Sequence, residues 1–117
     1  MSEIEKNFQA PYFELNQIKE VLSKWEEYFR ITNRALIDAS SLFDLDIDKI
    51  KEVILSLEDS EFQFGHLTEK TKGKNGLAFD VYRKKIQGAH FDAYIKLSLD
   101  DRGFAVIAQI ISFHEYK

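Results

Sequence analysis

The residues best suited to chemistry lie in the second half of the 117-residue chain, where the three histidines of the sequence occur among tyrosines and basic side chains. These residues are Lys70, Lys72, Lys74, Arg83, Lys84, Lys85 and Lys96, with Tyr82, Tyr94, His66, His90 and His114 between them. Metal-free cleavage of RNA needs a group that takes the 2′-hydroxyl proton, a cation for the charge on phosphorus and a donor to the leaving oxygen. Histidine, lysine, arginine and tyrosine are suitable types, and tyrosine also stacks unpaired bases.

The same residue types have a simpler interpretation. Tyr82 and Tyr94 fit as amphipathic strand residues, and lysines keep the wet face of a sheet soluble, as on most sheets. Residue types alone therefore permit RNA binding without establishing it.

Other kinds of site find no support in the sequence. The histidines lack ligand spacing such as His-x₃-His and the chain has no cysteine, which argues against a zinc site. The stretch Lys70–Gly76 lacks the rest of a P-loop and precedes a predicted strand. No nucleophile-elbow sequence supports a Ser/His/Asp triad. We expect neither a metal nor a cofactor.

Composition and charge indicate an ordinary globular protein with an uneven surface. The chain is 44% hydrophobic, 14% aromatic and 31% charged, with a formal net charge of −4. Residues 1–61 carry 14 acidic and 7 basic side chains, a net charge of −7, whereas residues 62–117 carry 6 and 9, a net charge of +3. This asymmetry hints at an acidic partner for the second half, although an uneven solvated surface gives the same pattern.

The start of the chain and the lengths of its apolar runs bear on location. The segment MSEIEKNFQA lacks the basic-then-apolar order of a signal peptide. No apolar run approaches the roughly 18 residues that a membrane span requires. We therefore expect a soluble, cytoplasmic protein without a membrane partner.

Apolar periodicity predicts three helices in the acidic half. Thr32 is a candidate N-cap of the second helix, and Asp46 or Asp48 of the third. A brief extended link is expected over residues 29–32. The predicted buried faces are Leu15, Ile18, Leu22, Trp25 and Phe29; then Ala35, Leu36, Ala39, Leu42 and Phe43; then Ile47, Ile50, Val53, Ile54 and Leu57.

After Ser60 the apolar period changes from 3.6 to 2, which predicts strands. Phe62, Phe64 and His66 are expected on one face of the first strand, and Lys70–Gly76 as a flexible basic hairpin connection. Leu77, Phe79, Val81 and Arg83 share a face of the second strand, opposite Ala78, Asp80 and Tyr82. The third strand has Phe91, Ala93, Ile95, Leu97 and Leu99 opposite Asp92, Tyr94, Lys96 and Ser98, and residues 104–114 form the last strand.

This order of elements predicts an α+β fold with three N-terminal helices packed on a twisted antiparallel β-sheet. The first residues are polar and lack periodicity, so we expect a flexible N-terminal tail over residues 1–11. The remaining residues, 12–117, are expected to form a single domain.

Several short motifs between about Tyr12 and Lys117 together resemble one family. Leu57-x-x-Ser60-Glu61-Phe62 is similar to the family's junction between helix and strand. Asp80–Arg83 resembles its Asp-Val-Tyr-Arg/His, Ala93–Lys96 its Val-Tyr-x-Lys, and Ile111–Glu115 its C-terminal Leu/Val-Ser-Phe-Lys-Glu. The family is that of the MqsR-type toxins, the motility quorum-sensing regulator endoribonucleases of bacterial toxin–antitoxin pairs. The resemblance implies the RelE-like form of the α+β fold.

The resemblance also implies a toxin that cuts messenger RNA. Its partners would be single-stranded RNA and a cognate antitoxin protein, with no direct contact to DNA. Tyr94 matches the family's catalytic tyrosine and would hydrogen-bond the scissile phosphate, while His66 or His114 would move protons. The residues implied in RNA binding are Arg83, Tyr82, Lys70, Lys72, Lys74, Lys84, Lys85 and Lys96.

The chain departs from the family at three positions of the active set. Phe64 stands at the position of the catalytic lysine, Phe79 at that of a glutamine, and His114 at that of a lysine in the last strand. Phenylalanine neither donates a proton nor binds a phosphate. Two hypotheses remain: an MqsR-like toxin with rewired chemistry, or a catalytically silent protein-binding module on the same fold, for example a phage-borne or regulatory inhibitor.

Overall fold

The computed structural model describes residues 4–8, 10–69, 77–101 and 106–117. Within them, three α-helices and six β-strands confirm the predicted α+β class. The helices are α1 (Leu15–Lys24), α2 (Asn33–Phe43) and α3 (Ile47–Leu55). The strands are β1 (Ile4–Phe8), β2 (Phe29–Ile31), β3 (Phe62–Glu69), β4 (Leu77–Lys85), β5 (Asp92–Asp101) and β6 (Val106–Glu115).

The described strands form one sheet in the order β1-β3-β4-β5-β6-β2. Neighbouring strands are antiparallel except β2, which runs parallel to β6, so the sheet is mixed and the expectation of an antiparallel sheet was wrong. Two strands also precede or separate the helices, because β1 comes before α1 and β2 lies between α1 and α2. Both are edge strands whose partners lie far along the chain, and local periodicity does not reveal such pairings.

The segment expected as a flexible tail contains strand β1. Ile4–Phe8 pairs antiparallel with β3, from Ile4 opposite Glu69 to Phe8 opposite Gly65. Backbone hydrogen bonds to β3 join this segment to the sheet, and such a pairing with a strand about 60 residues away is not visible in local periodicity.

Local capping signals place the starts of two helices as predicted. The Thr32 side chain accepts a hydrogen bond from the Ala35 N–H at 3.1 Å, and Asp46 accepts one from the Lys49 N–H at 2.9 Å. Helix α1 ends at Lys24, because Trp25 leaves the helical region with φ −133° and ψ 60°. Trp25 was expected on the buried face but is exposed, and so are Leu36, Leu42 and Ile47.

The helices cover one face of the sheet. Side chains from all three pack with buried residues of β4, β5 and β6 in one core. The strand residues in this core are Phe29 of β2 and, in β4, β5 and β6, Tyr82, Ala93, Ile95, Leu97, Ala108, Ile110 and Phe113. Of the helices in the described part of the chain, none has the length and apolarity to cross a membrane.

A buried carboxylate ties the start of α1 to the centre of the sheet. Asp80, in β4, is fully buried and accepts hydrogen bonds from the backbone N–H groups of Tyr12 and Phe13, each at 2.8 Å. Burial raises the pKa of Asp80 above its ordinary value of 3.8, and the two N–H donors act in the opposite direction. Asp80 therefore positions the residues before α1 at an electrostatic cost.

We expect Asp80→Ala to lower the free energy of unfolding by about 3 kcal/mol, because two backbone donors lose their acceptor. A raised carboxyl pKa means that the folded state holds its proton more tightly than the unfolded state. The stability that Asp80 contributes is therefore largest below about pH 3.8 and falls as the pH rises through its folded pKa. Urea denaturation at several pH values measures both effects.

The matched control is Asp48→Ala, which removes an exposed carboxylate from the first turn of α3. Its expected cost is below about 1 kcal/mol, the usual size of a helix-dipole interaction. If the difference in the free energy of unfolding between wild type and Asp80→Ala grew as the pH rose above 4, the raised pKa assigned to Asp80 would be wrong.

Candidate active site on the outer face of the sheet

Two of the three predicted catalytic residues, Tyr94 and His114, occupy the sheet face opposite the helices, here called the outer face. Successive side chains of a strand point to opposite faces. Because Ala93, Ile95 and Phe113 belong to the helical core, the alternate residues Tyr94 and His114 project to the outer face. The two are paired across β5 and β6, and Arg83 of β4 is paired with Tyr94. Arg83, Tyr94 and His114 thus form one row across three strands.

Tyr94 and His114 are stacked face to face. Their ring centroids are 4.5 Å apart and their planes differ by only 6°. Both side chains are half-buried, so each keeps an accessible edge. Stacking fixes the position of both rings relative to the sheet and places an imidazole and a phenol side by side.

The contact between His114 and the main chain determines which nitrogen can act as a base. Nδ1 of His114 lies 2.9 Å from the backbone carbonyl oxygen of Glu115. A carbonyl oxygen only accepts, so a hydrogen bond here requires the proton on Nδ1. In the neutral ring Nε2 is then the acceptor, the state that a general base needs.

The environment of Tyr94 keeps its hydroxyl protonated. Burial, followed by the proximity of the Tyr116 hydroxyl, raises the pKa of Tyr94 above its ordinary value of 10.0. At neutral pH Tyr94 is therefore a hydrogen-bond donor. It suits stabilisation of charge on a phosphate oxygen and does not suit proton abstraction.

Arg83 is held beside this stack by residues that the sequence analysis missed. Its Nε donates to Oδ2 of Asp92 at 2.7 Å, and its guanidinium carbon lies 4.7 Å from the centroid of the Tyr116 ring. The Tyr116 hydroxyl lies 3.4 Å from Oε1 of Gln63, within donating distance. Period-2 alternation was the available signal, because Tyr116 stands two residues after His114 and continues its face.

The comparison with family models identifies the chain. Residues 10–115 match the model of a family described as "Motility quorum-sensing regulator, toxin of MqsA". The chain belongs to this family. The match covers nearly the whole chain and confirms the resemblance found in the sequence motifs. No curated protein matches the chain.

The two phenylalanines that replace polar residues of the MqsR motifs lie on or beside the outer face, as His114 does. Phe64 is paired with Val81, and Phe79 lies under the ammonium of Lys96, whose Nζ is 4.8 Å from the ring centroid. Lys96 is two residues from Tyr94 and shares its face. Phe64 and Phe79 therefore form an apolar surface next to the row of Arg83, Tyr94 and His114.

Phe62, Phe64 and His66 were predicted to share one face of β3, but Phe62 does not lie on the outer face. The register shifts between Phe62 and Phe64, so Phe62 is opposite Tyr82 while Phe64 is opposite the adjacent residue, Val81. This bulge turns Phe62 towards the core, where its ring meets Tyr82 edge to face at 5.7 Å between centroids.

Tyr82 is a core residue in this MqsR-family protein, which corrects its predicted role in RNA binding. Its side chain is fully buried and its hydroxyl finds no hydrogen-bond partner among the described residues. Burial, followed by the charges of Asp80 and Asp59, raises the pKa of Tyr82. A ring with no accessible surface does not stack on a base. Tyr82 lies on the opposite face from Tyr94, because it is paired with Ile95.

The lysines predicted to bind RNA also differ in the side of the sheet on which they lie. Lys84 is half-buried, forms an ion pair with Glu61 at 3.1 Å and donates to the Ser56 carbonyl at 3.2 Å. Lys84 is paired with Ala93, a core residue, so its side chain lies on the helix side of the sheet and not on the outer face with Arg83 and Tyr94, which corrects its assignment to RNA. Lys85 is exposed at the end of β4. Lys70, Lys72 and Lys74 lie outside the described residues.

For His66 the structure describes the backbone. It is paired with Phe79 of β4 and with Asn7 of β1. Phe79 precedes Arg83 by four strand residues, which places His66 about 13 Å along the strand direction from the row of Arg83, Tyr94 and His114. Within the described residues, no three histidine or acidic side chains are grouped as a metal site would require.

Proposed function

We propose that the chain is the toxin of a toxin–antitoxin pair and that it cuts messenger RNA in the cytoplasm without a metal, until a cognate antitoxin silences it. The proposal includes the RelE-like form of the α+β fold. Family membership supports the toxin, and the stacked Tyr94 and His114 on the outer face are the observation that carries the nuclease.

The proposed reaction follows from the proton positions at the site. Nε2 of His114 takes the proton of a ribose 2′-hydroxyl, and the 2′-oxygen attacks the neighbouring phosphorus. The Tyr94 hydroxyl donates to a non-bridging oxygen as negative charge develops there, and Arg83 balances that charge. The P–O5′ bond breaks, and the 5′-oxygen takes a proton from water, because His66 is paired with Phe79 and lies too far along the sheet from the row to reach the same phosphate. The products are a 2′,3′-cyclic phosphate and a 5′-hydroxyl end.

The second candidate function is a catalytically silent protein-binding module. Phe64 and Phe79 favour it, because they leave apolar rings where the MqsR motifs have a lysine and a glutamine. The Lys96 ammonium next to Phe79 favours the nuclease, since a cation remains two residues from Tyr94 on the same face.

Expression in a bacterium distinguishes the ribonuclease toxin from the silent protein-binding module. We expect induction of the wild-type chain to arrest growth with loss of intact messenger RNA, and co-expression of a neighbouring open reading frame to restore growth. The matched control is the chain carrying both Tyr94→Phe and His114→Phe at the same soluble level. Normal growth and intact RNA at high levels of folded wild-type protein would support the silent module instead.

A further inference from the structure

The guanidinium of Arg83 is supported from two directions. The Asp92 carboxylate holds its Nε edge, and the Tyr116 ring covers one flat side. No other hydrogen bond of Arg83 is formed among the described residues. The two terminal amino groups are thus left as the free edge of a planar, bidentate donor that matches the geometry of a phosphate.

Tyr116 is itself fixed in place. Its backbone N–H donates to the Asp92 carbonyl at 2.8 Å, its hydroxyl lies 3.4 Å from Oε1 of Gln63, and its ring lies 5.8 Å from that of Tyr94. These contacts join the residue to β3 and β5. Tyr116 also lies beyond residue 115, where the family match ends.

We infer that Tyr116 is a positioning residue of the proposed nuclease site: it orients Arg83, together with Asp92, as a fork for one backbone phosphate of single-stranded RNA. The inference rests on the proposed function. Direct stacking of Tyr116 on a base is disfavoured, because Arg83 covers one side of the ring and Tyr94 lies near it. Tyr116 therefore acts through Arg83.

The role of Tyr116 in orienting Arg83 is tested by measuring the binding of a labelled single-stranded RNA at several salt concentrations. We expect Tyr116→Ala to weaken binding about fivefold, as loss of a cation–π support predicts. The slope of log affinity against log salt should fall by up to about 0.7, the value for one phosphate contact to a single strand. Tyr116→Phe keeps the ring and should bind like wild type. Tyr12→Ala, which removes an exposed ring elsewhere, should have no effect.

A double-mutant cycle with Arg83→Gln distinguishes positioning from direct contact. If Tyr116 acts through Arg83, adding Tyr116→Ala to Arg83→Gln causes no further loss of affinity. Additive losses, or wild-type binding by Tyr116→Ala, would overturn the inference.

Failure of the proposed function has a different signature, because wild type would then neither bind nor cleave the RNA. In that case the NMR signal of the Arg83 Nε–H still tests the positioning. Slow exchange in wild type and Tyr116→Phe, with fast exchange in Tyr116→Ala, supports it. Equal exchange in all three refutes it.

Discussion

Replacement of His114 by phenylalanine is expected to lower the rate of RNA cleavage by at least about a hundredfold, the usual contribution of a general base. Phenylalanine retains a flat ring that can stack on Tyr94, so the fold and the position of Tyr94 should persist. The variant loses Nε2, the atom assigned to the 2′-hydroxyl proton. Single-turnover cleavage of a defined RNA measures the loss, and it should appear in kcat more than in KM.

Two comparisons make this result specific. His114→Ala should lose the same activity and, in addition, up to about 1 kcal/mol of stability from the ring contact. His90→Ala removes an exposed histidine between β4 and β5, away from the row, and should cleave at the wild-type rate. Full activity in His114→Phe would show that another group takes the proton.

Removal of one hydroxyl in Tyr94→Phe should reduce kcat by about a hundredfold or more, the effect of losing a donor to transition-state charge. The aromatic stack remains, so the free energy of unfolding should change by less than about 1 kcal/mol. Because its pKa is raised above 10.0, Tyr94 stays protonated up to that pH. It should therefore contribute no limb to the pH–rate profile below pH 10.

Tyr82→Phe is the matched control, since it removes a hydroxyl from the neighbouring strand on the other face. That hydroxyl is buried without a partner among the described residues, so its loss should leave stability unchanged or slightly higher and leave cleavage unaffected. If Tyr94→Phe cleaves as fast as Tyr82→Phe, the phosphate contact assigned to Tyr94 is wrong.

Part of the site could be read from alternation alone. Tyr94 lies on the polar register of a strand whose other residues are apolar, and the outer face carries it as predicted. The same rule placed Tyr82 opposite Phe79 and Arg83 but did not show which of these faces meets the helices. Tyr82 was therefore predicted to contact RNA, although it is buried. Amphipathic residues such as tyrosine suit either side of a sheet.

Interactions between residues close in the chain were determined by the sequence itself. The N-caps at Thr32 and Asp46 depend on groups three residues away, and the change of period after Ser60 marks where helices give way to strands. The family motifs are equally local, and they identified the family without coordinates.

Only the tertiary structure decided which distant residues meet. The bulge at Phe62 and Phe64, the parallel pairing of β2 and the support of Arg83 by Tyr116 each join segments that are separated by many residues. Such pairings depend on strand register and on which face the helices cover, and a shift of one residue exchanges the two faces. The row of Arg83, Tyr94 and His114 exists because β4, β5 and β6 pair in this register.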